Sequence, residues 1–515
     1  MEAVATATIQ AWAAHLAVKP ESIDPAALRT KLSEGSLPDT FARGAATHPQ
    51  ATVQVGNESV TQSELQRRVA QVATILGEEG VVHGSRVMIC ANSSISFVTC
   101  YLAALWAGAS VILANPDYSD FELNKLNKAS HPQLLVAEGR NIGDLHCVSL
   151  TDLVLRSDTA VEAEIVTISA DDVALLAFTS GTTGSPKGVP LTHGNLLASI
   201  RAAMWAWRWS ADDTLVHTLP LFHQHGLSGL HASLLAGSSL IVLDKFDPRK
   251  LIATINQFEA TVLFGVPSIH HRLVGLSEDG LVALGQMRLI TSGSAPLSPD
   301  LENSFNHRVG TQLLQRYGLT ESGLNVSNPY NGERILGTVG LALPGVEVAL
   351  FTADGDQISD AEGEICLRGP QIFSGYLDDA AATAAAFWPN GWFRTGDLGR
   401  WEHDRLVITG RLKELIISGG MNVAPLEVEI VLEQLPSISE AAVCGIPSER
   451  WGEQVAAWVV PTEPGDALDA DGIINHCHSQ LASYKCPKQV FVVRKLPRNG
   501  MGKIVRSSLS QMRPA

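Results

Sequence analysis

Thr179-Ser180-Gly181-Thr182-Thr183-Gly184-Ser185-Pro186-Lys187-Gly188 follows directly on the apolar run Leu175-Leu176-Ala177-Phe178. A short apolar run closed by turn residues reads as a buried strand. The stretch behind it offers free backbone amides, hydroxyl donors and one lysine, which is what a polyphosphate needs. It is not a Walker A loop, because Pro186 precedes Lys187 and Gly188 follows it, where that pattern requires Gly-Lys and then Ser or Thr.

Outward from this loop, short apolar strands alternate with amphipathic helices. The spacing predicts a helix over 63–79, stopped by Gly80, and then a strand at Arg86-Val87-Met88-Ile89-Cys90. Further strands are expected at 134–137, 240–243 and 262–264. Alternation of this kind predicts α/β layers with largely parallel sheets. Near Val346 the texture changes to short strands at 346–351, 364–368 and 405–408, a small β-rich subdomain. The charged turn Gly410-Arg411-Leu412-Lys413-Glu414 then opens a compact α+β tail.

The 515 residues exceed one ordinary core, and 45% hydrophobic with 17% charged residues excludes long disorder. Thirty-seven basic against 53 acidic side chains leave a net charge of −16, without the field that holds nucleic-acid backbones. No nucleic-acid partner is expected. The 7 cysteines are odd in number and contain no CxxC, so neither a disulfide framework nor a zinc knuckle is indicated. With no signal-peptide pattern after Glu2, a cytoplasmic protein is expected. The longest apolar run, 97–113, contains Gly108 and Ser110 and reads as a buried helix entering a buried strand rather than a membrane span.

Five further motifs follow in order. They are Ser292-Gly293-Ser294-Ala295-Pro296, Tyr317-Gly318-Leu319-Thr320-Glu321, Gly391-Trp392-Phe393-Arg394-Thr395-Gly396-Asp397, the turn at 410–414, and Pro497-Arg498-Asn499-Gly500-Met501-Gly502-Lys503. Together with the loop at 179–188 they resemble the motifs of the adenylate-forming superfamily: acyl-CoA synthetases, luciferases and peptide-synthetase adenylation domains. The resemblance runs from about residue 37 to the end. It implies a large N-terminal domain of layered α/β subdomains with a β-rich subdomain (37–410, the latter about 340–410). A small mobile α+β domain (411–515) would turn about Lys413, behind an N-terminal helical extension (1–36).

The resemblance also implies ATP, Mg²⁺ and coenzyme A, and assigns roles. Thr179, Ser180, Gly181, Thr182, Thr183, Gly184 and Lys187 would cradle phosphates. Ser294, Ala295, Pro296, Tyr317 and Gly318 would face adenine, and Asp397 with Arg411 the ribose. Thr320 and Glu321 belong to the magnesium motif, with Thr179 a weaker metal contact, and Lys503 would meet the α-phosphate. Gly419 and Gly420 resemble the loop facing the thiol tunnel. Each role suits its residue: a carboxylate accepts two ribose hydroxyls, a hard oxygen suits Mg²⁺, and a lysine neutralises growing phosphate charge. The implied reaction makes an acyl-adenylate from a carboxylic acid and ATP, and passes the acyl group to a thiol, of CoA or of a carrier protein. A degenerate binder without catalysis is disfavoured by intact Lys503, Glu321 and Asp397.

His223 stands where amino-acid-activating relatives carry Asp, which disfavours amino acids. His223 and His225 have the spacing of a metal pair, but no third ligand is identifiable. Arg316 and Arg272, with His223 and Ser292, outline the expected acid pocket, and this neighbourhood is similar to malonyl-CoA synthetases. There the paired arginines hold a distal carboxylate, which implies a short dicarboxylic acid such as malonate or methylmalonate. The alternatives are an aromatic or medium-chain monocarboxylic acid, and arginines that pair with protein acids.

Overall fold

The structure, a computed structural model, describes residues 2–180, 186–418, 421–448, 451–463, 468–499 and 503–512, with the backbone alone for residues 2–5 and Ser180. The helix expected over 63–79 spans Gln62–Glu78. It starts there because the Thr61 hydroxyl accepts a hydrogen bond from the Glu64 N–H at 3.1 Å, capping an otherwise unsatisfied donor. Leu65, Val69, Val72, Ile75 and Leu76 recur at helical spacing and are buried.

Among the described residues the strands form four sheets. Six strands make one, in the order His146–Val148, Leu134–Ala137, Arg86–Cys90, Ser110–Ala114, Val173–Ser180 and Pro186–Thr192. The first five are parallel and the last returns antiparallel, so Thr179 faces Lys187 across the pair. The nine-stranded sheet has a parallel centre: Thr52–Val55, Ser239–Val242, Thr214–His217, Val262–Gly265, Leu289–Ser292 and Leu314–Leu319. A five-stranded antiparallel sheet runs from Glu347–Phe351 to Arg405–Arg411, where the β-rich texture predicted it. The last sheet is built on the antiparallel pair Ile438–Ser448 and Gly452–Pro461.

The apolar run at 97–113 becomes the helix Ile95–Trp106 and the strand Ser110–Ala114. Every residue from Phe97 to Trp106 is buried, because this helix touches strands of both parallel sheets. It is hydrophobic all round for that reason. No helix among the described residues is long and apolar enough to cross a membrane.

The N-terminal extension is more regular than its prolines suggest, with helices Glu2–Leu16 and Pro25–Ser33 around a short 3₁₀ turn. It joins separate parts of the large domain. The Trp12 indole N–H donates to the Val346 carbonyl at 2.8 Å, and Arg29 pairs with Glu347, both at the β-rich sheet. Leu32 fills the space beside Gly345, where a Cβ would lie 2.6 Å from its Cδ1. Arg201, on the helix His193–Ala206 that follows the phosphate hairpin, donates to the carbonyls of Leu32 at 3.0 Å and Glu34 at 2.8 Å. The extension therefore braces the phosphate hairpin against the β-rich sheet. Trp12→Ala should cost about 3–5 kcal/mol in urea unfolding, the usual range for an emptied aromatic site. Val18→Ala, at a position 46% exposed, should stay within about 0.5 kcal/mol. Equal small effects would mean that the extension contributes nothing to the large domain.

Candidate active site

The carboxyl ends of the parallel strands meet along one edge, where open α/β sheets place their ligands. His217 is in register with Phe264, Gly265 with Ser292, and Ser292 with Gln315, so three neighbouring strands end close to the level at which the strand Leu314–Leu319 carries Arg316. Two groups of side chains sit there.

The first centres on Asp397, which is 2% exposed. The Tyr317 hydroxyl donates to its Oδ2 at 2.7 Å, and Arg411 Nε meets its Oδ1 at 2.7 Å. Asp397 and Arg411 are cross-strand partners, and Tyr317 arrives from the nine-stranded sheet. Burial and the neighbouring carboxylate push the Tyr317 hydroxyl well above its ordinary range, so it stays a donor. Ser294, Ala295 and Pro296 follow the end of the strand Leu289–Ser292, with Ser294 held at φ 68°. A Cβ on Gly318 would lie 2.1 Å from the Gly323 carbonyl oxygen.

Lys503 reaches this group from the C-terminal part. Its N–H donates to Asn499 Oδ1 at 3.0 Å and its carbonyl accepts from Asn499 N–H at 2.9 Å, which joins the two residues. Burial, with the positive charge of Arg411, draws its ammonium down to about 8, against the pull of Glu414 and Asp397. Arg506 anchors the same loop, bonding Glu414 at 2.9 Å and Glu429 at 3.0 Å. Lys413 lies exposed in the 3₁₀ turn Leu412–Glu414.

Glu321 and Thr320 are half-buried in the turn after Leu314–Leu319. One Glu321 oxygen accepts from the Tyr376 hydroxyl at 3.1 Å, and no ion pair of Glu321 occurs among the described residues. A half-buried carboxylate with a free oxygen and no cation suits a hard metal ion that keeps most of its waters. Thr179 closes the strand Val173–Ser180 opposite Lys187. Gly181, Thr182, Thr183 and Gly184, the Ser180 side chain, and Gly419 and Gly420 lie outside the described residues.

The second group surrounds Arg316, which is 7% exposed and whose Nε and Nη2 have no hydrogen-bond partner. Its guanidinium lies so close to Gly293 that a Cβ there would stand 2.8 Å from Cζ. Burial lowers its pKa to about 9, and it remains charged at neutral pH. The polar groups nearby are neutral. His225, 8% exposed, shares its Nδ1 with the Ser294 hydroxyl at 2.8 Å and leaves Nε2 unpartnered. His223 Nε2 and Ser292 Oγ are likewise unpartnered, and His217 is wholly buried. Burial holds His217 and His223 down at about 4, and burial with the Arg316 charge holds His225 well below the ordinary range. A buried cation thus faces imidazoles and a hydroxyl, with no carboxylate among the described residues paired to it.

Arg272, expected beside Arg316, is not there. It is exposed, with its guanidinium 4.6 Å from the centre of the Phe246 ring. Helical phase explains the difference: two residues turn the chain roughly 200°, and in Pro267–Val274 it is His270 that faces inward. His270 bonds the Thr291 carbonyl at 3.1 Å, in space left by Gly265. Two residues missed from the sequence belong at the site, His217 and Tyr376. The signal for His217 was a polar residue closing the apolar strand Thr214–His217, whereas Tyr376 sits in a loop whose spacing carries no signal.

The folded edge thus brings together a buried acid held by Tyr317 and Arg411, a lysine close to them, a half-buried carboxylate, and a buried cation among neutral polar groups. That is an enzyme that activates an acid with a nucleotide. The chain belongs to the AMP-binding enzyme family, whose model matches residues 41–377, with the AMP-binding enzyme C-terminal domain matching 427–503. It is an acyl-CoA ligase that uses ATP and CoA. It is 33% identical over 478 residues to 4-coumarate–CoA ligase 1 of Arabidopsis thaliana, covering 85% of each chain. It is 32% identical over 477 residues to the mitochondrial malonate–CoA ligase of Xenopus laevis, covering 82% of this chain and 81% of that one. ATP-bound MatB from Rhodopseudomonas palustris superposes with a TM-score of 0.86 at 34% identity, covering 92% of this chain and 98% of that one.

An unpartnered buried guanidinium costs folding free energy. Arg316→Met should therefore stabilise the ligand-free protein, by at least about 1 kcal/mol at neutral pH. The arginine's folded pKa lies below its unfolded value, so the penalty is full at neutral pH and shrinks as pH rises above about 9. Urea unfolding at two pH values reads both effects; a destabilised variant would mean that Arg316 is paired within the protein.

Proposed function

We propose that the chain is an AMP-forming acyl-CoA synthetase for a short dicarboxylic acid such as malonate or methylmalonate, working in the cytoplasm. The reading rests chiefly on Arg316, a buried guanidinium with two unpartnered nitrogens and no protein anion. A distal carboxylate supplies the missing partner, and a guanidinium fork donates to it in two parallel hydrogen bonds. The neutral imidazoles of His217, His223 and His225 and the hydroxyl of Ser292 add donors without a second charge, so a single anionic group is selected.

In the first half-reaction the near carboxylate attacks the α-phosphate of ATP and pyrophosphate leaves. Asp397 accepts ribose hydroxyls, with Arg411 fixing its orientation, and Tyr317 lies along adenine. Lys503 brings its charge to the α-phosphate, where negative charge grows during transfer. Lys187 and the loop at 179–184 hold the outgoing phosphates. Glu321, with Thr179 secondary, would hold Mg²⁺, which when bound neutralises phosphate charge. In the second half-reaction the CoA thiol attacks the acyl carbonyl and AMP leaves. The part over 411–515 turns about Lys413 between the halves, bringing Gly419 and Gly420 to the thiol. In the present arrangement Lys503 is influenced by Asp397 and Arg411, which suits the first half.

The relative named for 4-coumarate favours a second reading, an aromatic monocarboxylate lying against Phe264. The two readings differ in kcat/KM for malonate and methylmalonate beside butyrate and benzoate. A charge-assisted pair contributes roughly 1.5–3 kcal/mol, or about ten- to a hundredfold. Arg316→Gly should lose that factor for the diacids and admit the monoacids. A wild type that already prefers monoacids, with all rates falling together in the variant, would support the second reading.

Lys503 makes the first half-reaction pH-dependent. With its folded pKa near 8, the ammonium is charged below that value and loses its charge above it. Adenylation kcat/KM for ATP, which reports the free enzyme, should fall as pH rises through about 8. Lys503→Arg, though slower, should lack this alkaline limb. An unchanged limb would assign it to another group.

A further inference from the structure

Two opposite charges that serve the same triphosphate flank a single aromatic ring. Tyr376 donates its hydroxyl to Glu321 Oε1 at 3.1 Å, while the Lys187 ammonium stands 5.1 Å from the centre of its ring. Burial and the Glu321 carboxylate raise the Tyr376 hydroxyl above its ordinary range, so it remains a donor. Lys187 and Glu321 come from different sheets, and neither forms an ion pair among the described residues.

The loop carrying Tyr376 is fixed to both. The Phe373 N–H donates to the Glu321 carbonyl at 2.9 Å, and the Leu377 N–H to the Gly188 carbonyl at 2.9 Å, next to Lys187. Asn195, in the first turn of the helix after the phosphate hairpin, donates to the carbonyls of Pro370 at 2.8 Å and Ile372 at 3.1 Å. The Tyr376 N–H donates to Thr383 Oγ1 at 2.9 Å, and Gly375 takes φ 151°, with Thr383 Cγ2 only 2.5 Å from where a Cβ would be. Glycine is required there. The ring is thus held from its own loop, independently of the two charges it separates.

We infer that Tyr376 is a positioning residue that keeps Lys187 and Glu321 apart and aimed, so that the lysine is free for phosphate and the carboxylate for the metal ion. A lysine and a glutamate released into contact would pair with each other, since opposite charges at about 4 Å attract strongly in a half-buried site. That pair would block the phosphate and metal contacts together. The ring prevents it by occupying the space between them, and it satisfies each: its face attracts the ammonium and its O–H the carboxylate.

The test is ATP binding by calorimetry without acid, so that no turnover occurs, in excess EDTA and then in saturating Mg²⁺. Tyr376→Phe keeps the ring and loses the O–H. Its metal-free affinity should stay within about twofold of wild type, while the strengthening by Mg²⁺ falls about fivefold. Tyr376→Leu loses both contacts, and its metal-free affinity should fall about tenfold as Lys187 is captured by Glu321. Adding Glu321→Gln to Tyr376→Leu removes the capturing charge and should restore metal-free affinity to within about threefold of wild type. A merely structural role for the ring predicts no such rescue. Rescue absent from the double variant, or an undiminished Mg²⁺ effect in Tyr376→Phe, overturns the inference. Should Tyr376→Leu not fold, Tyr376→Phe alone decides it by the same Mg²⁺ criterion.

Discussion

A guanidinium taken out of water must find an anion or be charged against the stability of the fold. Arg316 finds none within the described protein, and the surrounding architecture keeps it so. It stands on the strand Leu314–Leu319 beside Ser292, with the ends of Thr214–His217 and Val262–Gly265 completing the row. Parallel strands bring their carboxyl ends to one edge, so His217, Ser292 and Arg316 arrive there from segments far apart in sequence. Gly293 leaves the room that the guanidinium fills, and the imidazoles stay neutral because burial and the arginine itself suppress their protonation. The resulting cluster carries one positive charge and several neutral polar groups.

Beside it, Asp397 ties the nine-stranded sheet to the antiparallel one through Tyr317 and Arg411. Both its oxygens are engaged in the ligand-free protein, so the carboxylate is already fixed in position. Arg506 performs the equivalent service for the C-terminal loop, holding Glu414 and Glu429 while Lys503 faces Asp397 and Arg411. The two groups of side chains therefore share a strand, through the adjacent residues Arg316 and Tyr317. Alternation along the strand sends their side chains to opposite faces. That alternation lets one strand serve both groups of side chains.

Much of this was legible in the sequence because periodicity is a strong signal. The helix at 62–78, the core strands and the buried character of 95–114 all follow from spacing alone, and the ordered motifs located Tyr317, Asp397, Arg411 and Lys503. What failed was direction within an element. Arg272 and His270 are two residues apart on a short helix, and the motif could not tell which faced the pocket; the helix turns His270 inward and leaves Arg272 over Phe246. Tyr376 was invisible for another reason. Its position depends on carbonyls of residues 188 and 321 brought together by sheets that the loop itself does not belong to. Residues 1–36 are legible in the sequence only as a helical extension, whereas Trp12 and Leu32 are buried residues of the domain it braces.

The central claim is that Arg316 awaits a carboxylate on the far end of the acid. A crystal structure with a non-hydrolysable malonyl-adenylate analogue tests it directly. The account predicts the distal carboxylate in two hydrogen bonds with Arg316 Nε and Nη2, at roughly 2.7–2.9 Å, the usual length of charge-assisted pairs. A distal carboxylate turned toward solvent or toward Lys187, with the Arg316 nitrogens still unpartnered, would contradict it.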